Sequence, residues 1–149
     1  MPEYDVLDVA HFIIKKSIDD DNPVTNLKLQ KMLYYAWVEY FKTNKEYLFR
    51  NEISAWKYGP VVPEVYREFR IFAGVPITRC TDHKDVEFDE KTSDFLTAFV
   101  DRNKSFTASE LVNLTHRKNY PWDRVYRKDQ KYTVIPFETI IDIECNPHE

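Results

Sequence analysis

The sequence AWKYGPVVPEVYREF, from Ala55 to Phe69, carries one of only two glycines in a chain of 149 residues. Residues 52–58 contain β-forming side chains that roughly alternate between two faces, which predicts a short β-strand. The dipeptide Gly59-Pro60 should end this strand in a tight turn. Pro63 suits the first turn of a helix that should continue to Gly74. A strand, a turn and a helix are therefore expected in close succession.

Helical periodicity extends outward from this stretch in both directions. Asp5 and Thr25 are expected to cap the first two helices, and the second should be the central core helix. Lys28 and Lys31 should remain solvated on the outer face of that second helix. In the third helix the predicted buried face comprises Val65, Tyr66, Phe69 and Phe72.

The second half of the chain repeats this pattern. Helices are predicted over about 91–102, from the capping box at Thr107 to about His116, and from Phe137 to Glu144, preceded by an extended segment at 132–136. The predicted fold is mainly α with a small β element, hence α+β. Residues 1–149 should form a single compact domain of about five to six helices and a short strand or hairpin.

Composition excludes several functional classes. Because the only glycines are Gly59 and Gly74, the chain has no glycine-rich loop that could cradle a nucleotide phosphate. A net charge of -4 argues against a surface that is positively charged throughout for nucleic acid. No apolar run is long enough to span a membrane and the N-terminus resembles no signal peptide, so a cytoplasmic location without membrane contact is expected.

Catalytic and metal-binding patterns are weak. Cys80 and His83, with Cys145 and His148, form two C-x-x-H pairs that together could bind zinc, although such pairs also arise by chance. Two unpaired thiols are the favoured interpretation, with no metal and no cofactor. Scattered candidates for acid-base chemistry show no recognisable arrangement, so the chain is predicted not to be an enzyme.

The segment 117–132, RKNYPWDRVYRKDQKY, mixes six basic side chains with aromatic ones, a composition typical of surfaces that bind nucleic acid. The alternative is that the aromatic side chains pack inward, or that the surface meets an acidic protein partner. The basic candidates are Arg117, Lys118, Arg124, Arg127, Lys128 and Lys131.

Three blocks of sequence together resemble a known family. They are TNLKLQKMLYYA at 25–36, AWKYGPVVPEVY at 55–66, and ELVNLTH at 110–116 followed by Pro121-Trp122. In this order they are similar to the Panacea domain, also called the SocA-like antitoxin domain. The resemblance covers nearly the whole chain.

This resemblance implies a mainly helical protein that neutralises a toxin by binding it, in some cases as an adaptor that delivers the toxin to a AAA+ protease. The predicted contact surface is the exposed edge from Trp56 to Val62 together with the helix end around His116 and Trp122. Its predicted partner-binding residues are Lys28, Lys31, Trp56, Tyr58, Gly59, Pro60, Val61, His116 and Trp122. A nucleic-acid-binding or regulatory module that uses 117–132 is the alternative. The identity of the toxin and the oligomeric state are not indicated.

Overall fold

A computed structural model of the protein describes residues 3–79 and 86–146. The α-helices in this part of the chain are α1 (Val6–Asp19), α2 (Asn26–Asn44), α3 (Pro63–Phe69), α4 (Glu90–Asn103), α5 (Ala108–Thr115), α6 (Pro121–Val125) and α7 (Phe137–Ile140). The strands are β1 (Ser54–Trp56), β2 (Gly59–Val61) and β3 (Thr133–Val134). A 3-10 turn, Arg70–Phe72, extends α3, and a π-helical turn, Ile141–Cys145, extends α7. The predicted α+β class, mainly α with a small hairpin, is confirmed.

Polar side chains start several of these helices at the predicted positions. The Asp5 carboxylate accepts a hydrogen bond from the amide of Leu7 at the start of α1, and the Thr25 hydroxyl accepts one from the amide of Lys28 in α2. At α5 the capping box is complete, because Thr107 and Glu110 each bond the other's backbone amide. Such caps supply hydrogen-bond acceptors for backbone amides that the first turn of a helix leaves unpaired.

The small sheet is antiparallel, with strand order β2-β1-β3. Ala55 of β1 is paired with Pro60 of β2 and with Thr133 of β3. The expected strand over 52–58 is therefore shorter, and Gly59-Pro60 begins the returning strand rather than forming only a turn. The reversal takes place at Lys57 and Tyr58, because the positive φ of 114° at Gly59 lets the chain fold back directly.

Helix α2 occupies the centre of the molecule and packs against α1, α3, α4, α5 and β2. Trp37 of α2 is fully buried, stacks on Phe137, and donates its indole hydrogen to the carbonyl of Phe49 at 3.0 Å. Burying an aromatic side chain of this kind contributes about 1.5–3 kcal/mol to the stability of the fold. The aromatic-rich core that the composition suggests is therefore built around one helix.

The prediction that Lys28 and Lys31 are solvated is wrong. Their exposed fractions are 9% and 0%, because neighbouring elements cover α2 on nearly every side. On α3, Val65 and Phe69 are buried as expected, but Tyr66 is exposed because it faces away from the core. The last helix ends early, at Ile140, where it widens into the π-helical turn.

Candidate functional site

Lys31 lies in the region where the three sequence blocks meet, and its side chain is the first notable feature there. This side chain extends from α2 to the hairpin, where Nζ donates a hydrogen bond to the carbonyl oxygen of Pro60 at 2.8 Å. In the described part of the chain no carboxylate forms an ion pair with it. Burial alone lowers the pKa of Lys31 to about 7. A readily deprotonated amine therefore lies beneath the hairpin.

Gly59 makes this close approach possible. A Cβ atom at Gly59 would lie 2.7 Å from both Lys31 Cε and Thr115 Oγ1, well inside van der Waals contact. The positive φ of this residue also disfavours any other side chain. Glycine is thus required where the hairpin meets α2 and α5.

His116 and Trp122 complete the contact on the other side. Their rings stack with centroids 3.7 Å apart, and the indole Nε1 of Trp122 donates a 2.6 Å hydrogen bond to the carbonyl of Trp56. Burial, followed by the charge of Lys31, lowers the pKa of His116, and Asp123 opposes this effect. His116 Nε2 is buried and has no hydrogen-bond partner within residues 3–79 and 86–146. The helix end is therefore fastened to the hairpin by stacking and by one short hydrogen bond.

We call this set of residues the polar junction; it comprises Lys31, Gly59, Pro60, Thr115, His116 and Trp122. Five of the nine predicted partner-binding residues belong to it. Its members are mostly buried and packed closely together. The edge that was expected to be exposed, Trp56 to Val62, is buried from Gly59 onward. The physical reason is that α2 and α5 cover the β2 side of the hairpin. The polar junction holds elements together and offers a partner little surface.

Lys28 lies apart from the polar junction. Its Nζ approaches the carbonyl of Lys104 at 3.5 Å, and burial lowers its pKa. The two lysines that the sequence places one turn apart on α2 therefore contact different elements. Lys31 bonds the hairpin and Lys28 the end of α4.

An open groove adjoins the polar junction, with a volume of about 650 Å³. We call it the aromatic groove. Its lining residues are Asn26, Leu27, Gln30, Trp56, Lys57, Tyr58, Val61, Tyr66, Ala73, Tyr126, Lys128, Lys131 and Tyr132. The predicted residues Trp56, Tyr58 and Val61 lie here, beside two of the basic candidates. This volume is in the range of binding pockets, roughly 300–1,000 Å³.

The walls of the aromatic groove are held in place by ring contacts. Trp56 meets Tyr66 on one side and Tyr132 on the other, each edge-to-face with centroids 4.9 Å apart. Tyr126 stacks on Trp122 at 4.7 Å, which links the wall to the polar junction. Tyr58 and Tyr132 remain 56% and 62% exposed, so large rings face solvent in an ordered arrangement.

The floor of the aromatic groove is a chain of amide hydrogen bonds. Gln30 accepts from the amide of Val62 at 2.8 Å and donates to Asn26 at 2.9 Å. Asn26 in turn donates to the carbonyl of Tyr66 at 3.2 Å. These bonds hold the hairpin and α3 at a fixed distance from α2, so the groove is largely preformed.

The basic segment 117–132 is divided between several places. Arg117 stacks on Tyr120, with its guanidinium 3.7 Å from the ring centre, and lies near Glu144. Arg124 and Arg127 donate to the carbonyls of Asn119 and Tyr126 within their own turns, and Lys118 is exposed. Lys128 and Lys131 line the aromatic groove. The proposed nucleic-acid surface is thus not one continuous basic track, and its binding role stays a prediction.

The zinc hypothesis falls largely outside the described residues. Cys80, His83 and His148 lie outside the described residues. Cys145 is buried, with its thiol 3.7 Å from the carbonyl of Val38. Burial raises the pKa of the Cys145 thiol. Within residues 3–79 and 86–146 no group of three or more His, Cys, Asp or Glu side chains could hold a metal ion. In the same ranges no helix is both long and apolar enough to cross a bilayer.

Comparison with known proteins assigns the family. The profile of the family described as "Antitoxin SocA-like, Panacea domain" matches residues 29–123. This chain belongs to that family. The chain is also similar to "Antitoxin SocA" of Caulobacter vibrioides (strain NA1000 / CB15N), with 30% identity over 125 residues. This alignment covers 77% of the chain and 66% of the relative, slightly less than two thirds of its length. No solved structure matches significantly.

The segment that matches the Panacea family contains the whole polar junction. It ends at residue 123, before the aromatic-groove residues Tyr126, Lys128, Lys131 and Tyr132. The sequence alone indicated the part of the groove that these four residues form only by its mixture of aromatic and basic residues. Thr115 and Tyr66 were missed as members of the two sites, because the residues that meet there come from distant parts of the chain and show no common periodicity.

Proposed function

We propose that this protein is an antitoxin that neutralises a toxin protein by binding it directly. Membership of the antitoxin SocA-like family carries this proposal. The aromatic groove supports it, because rigid, partly exposed rings are typical anchors of protein interfaces. Binding rather than catalysis is the proposed mode of action.

The test uses the product of the gene next to the one that encodes this chain. Expression of that product alone should arrest growth, and co-expression with this protein should restore it. The two proteins should also form a complex that survives gel filtration. A neighbour that is harmless alone, or that remains toxic in the presence of this protein, would show that the proposal is wrong.

A bound toxin can be held inert or degraded, and the lifetime of the toxin in cells distinguishes these two outcomes. A toxin held inert in a complex should persist after synthesis stops. A toxin that this protein delivers to a AAA+ protease should disappear, and should persist again when that protease is deleted. We propose delivery as the second form of the same function, in agreement with the resemblance described above.

Direct nucleic-acid binding is the other candidate function. Lys128 and Lys131 beside Tyr126 and Tyr132 are the side chains that favour it, because bases stack on aromatic rings and lysines bind phosphates. Retention of DNA or RNA that weakens steeply with salt would support this function.

A further inference from the structure

We propose that the aromatic groove captures an acidic segment of the toxin, one in which Asp or Glu residues flank an aromatic or aliphatic side chain. This inference rests on the proposed antitoxin function and names the surface and the chemistry of the contact. It is carried by the charges that line the groove and by the arrangement of its rings.

Among the described residues, every charged side chain that lines the aromatic groove is a lysine, namely Lys57, Lys128 or Lys131. In the described ranges none of the three has a carboxylate partner, whereas Lys16, Lys91 and Lys104 are each paired with one. The whole chain carries a net charge of -4, so this positive cluster stands against the general charge of the molecule. Complementary charge selects a partner and steers its approach, and the complement here is acidic.

The apolar part of the aromatic groove indicates what the acidic residues should flank. Trp56, Tyr66 and Tyr132 form a continuous aromatic wall, held by two edge-to-face contacts. Because ring contacts and the amide chain of the floor already fix these side chains, little conformational entropy would be lost on binding. An apolar side chain packed against this wall would therefore anchor the segment.

A protein segment fits this surface better than a nucleic-acid strand. Arg124 and Arg127 donate to backbone carbonyls of their own turns, and Arg117 lies beside Glu144. Of the basic side chains in 117–132, Lys128 and Lys131 line the groove, where they form a local cluster of positive charge with Lys57. A nucleic acid carries a phosphate at every nucleotide and requires a longer basic track, whereas a short acidic segment needs only a local match.

The test measures binding of fluorescein-labelled peptides to the whole protein by fluorescence anisotropy. The first probe is a peptide pool of about twelve residues in which Asp and Glu alternate with Leu, Phe and Trp. The second replaces every acidic residue by Lys or Arg, and the third is an oligothymidylate of about twelve nucleotides. The acidic pool should bind the most tightly. Equal binding of the basic pool, or tighter binding of the oligothymidylate, would overturn the proposal.

The double charge reversal Lys128→Glu/Lys131→Glu should weaken binding of the acidic pool by roughly tenfold or more, because it replaces attraction by repulsion. The matched control is Lys45→Glu/Lys118→Glu, which makes the same change of charge at exposed lysines outside the groove. The control should bind like wild type. Equal weakening in both variants would show that only the overall charge matters and would overturn the assignment to this groove.

A second pair of variants tests the aromatic wall. Tyr132 has a φ of 70°, so Tyr132→Asn keeps a residue that tolerates this conformation while removing the ring. Its control is Ile71→Asn, since Ile71 is 80% exposed and lies outside the groove. Tyr132→Asn should weaken binding of the acidic pool by roughly tenfold, and the control should not. Circular dichroism verifies that each variant is folded, and unchanged binding by folded Tyr132→Asn would contradict the proposal.

Toxin rescue separates failure of this inference from failure of the proposed function. If wild type and both groove variants neutralise the toxin equally, the antitoxin function stands and the groove is not the contact. If even wild type fails to neutralise it, the antitoxin function is wrong and the inference falls with it. Loss of rescue in the groove variants alone, with rescue retained by both controls, supports both.

Discussion

Lys31 places an amine in the interior of the fold, where its one hydrogen bond within the described residues is to the carbonyl oxygen of Pro60. Taking an ammonium group out of water without an opposite charge costs several kcal/mol, which is why burial lowers the pKa to about 7. Near neutral pH the side chain therefore changes between charged and neutral forms inside the protein. This residue is central to the polar junction, although its position in the sequence suggests an ordinary surface lysine.

Lys31 should make stability depend on pH in the alkaline direction. Because its pKa is depressed in the folded state, the unfolded chain binds more protons above about pH 7, and the free energy of unfolding should rise by up to about 1.4 kcal/mol per pH unit between about pH 7 and 8.5. In Lys31→Met this rise should disappear. Urea titrations at several pH values measure it, with Lys118→Met as the control that leaves Lys31 in place. A rise that persists in Lys31→Met would show that other groups cause it.

The two glycines provide a matched pair for a second prediction. Gly59→Ala should cost about 2–4 kcal/mol of stability, because it adds a strained backbone conformation to contacts of 2.7 Å with Lys31 and Thr115. Gly74→Ala meets no atom of the described residues within 4 Å and should be neutral or slightly stabilising. Thermal unfolding of both variants decides this, and equal losses would be inconsistent with the required role of Gly59.

At the scale of elements, α5 and α6 are joined to the hairpin by Trp122 and the rings around it. Trp122→Phe keeps most of the stacking surface but removes the 2.6 Å hydrogen bond to Trp56, so we expect a loss of about 1–2 kcal/mol. Trp56→Phe is the control, since Trp56 Nε1 is buried without a hydrogen-bond partner in the described residues. Chemical denaturation should show the smaller loss for Trp56→Phe. The reverse order would mean that the hydrogen bond contributes little.

Most elements could be predicted from local signals in the sequence. Thr25, Thr107 and Pro63 mark helix starts through side-chain chemistry that acts within one turn, and the structure places the starts where these residues indicate. The second strand was predicted only as the alternative of a hairpin, without its residues, because Gly59-Pro60 is typical of a turn. In the structure Lys31 of α2 binds the carbonyl of Pro60 in this strand, and Gln30 binds the amide of Val62 just after it.

The candidate site was less predictable than the fold. Lys31 was expected in solvent because helical periodicity identifies an apolar face but does not show that a helix is enclosed on its polar face as well. The aromatic groove combines Trp56 with Tyr132, which are distant in sequence and whose rings meet because β1 pairs with β3 beside them. Only the tertiary fold brings such residues together.

At the scale of the whole molecule, one hydrophobic core connects α1 through to the π-helical turn at Cys145. We therefore expect a single cooperative unfolding transition for the domain proposed over residues 1–149. Tryptophan fluorescence reports on Trp37 in the core and on Trp56 and Trp122 near the groove, while circular dichroism reports on the helices. Both signals should show the same midpoint in urea. Separate midpoints would indicate two independently unfolding units.

The bonds that α2 makes to β2 also bear on how the sheet can grow. Pro60 has no backbone N–H, its carbonyl is taken by Lys31, and the amide of Val62 is taken by Gln30. An incoming strand from another chain would find these groups already occupied on the β2 side. The exposed strand β3, Thr133–Val134, is then the edge at which this sheet could add a strand, and the β2 edge is protected from edge-to-edge aggregation.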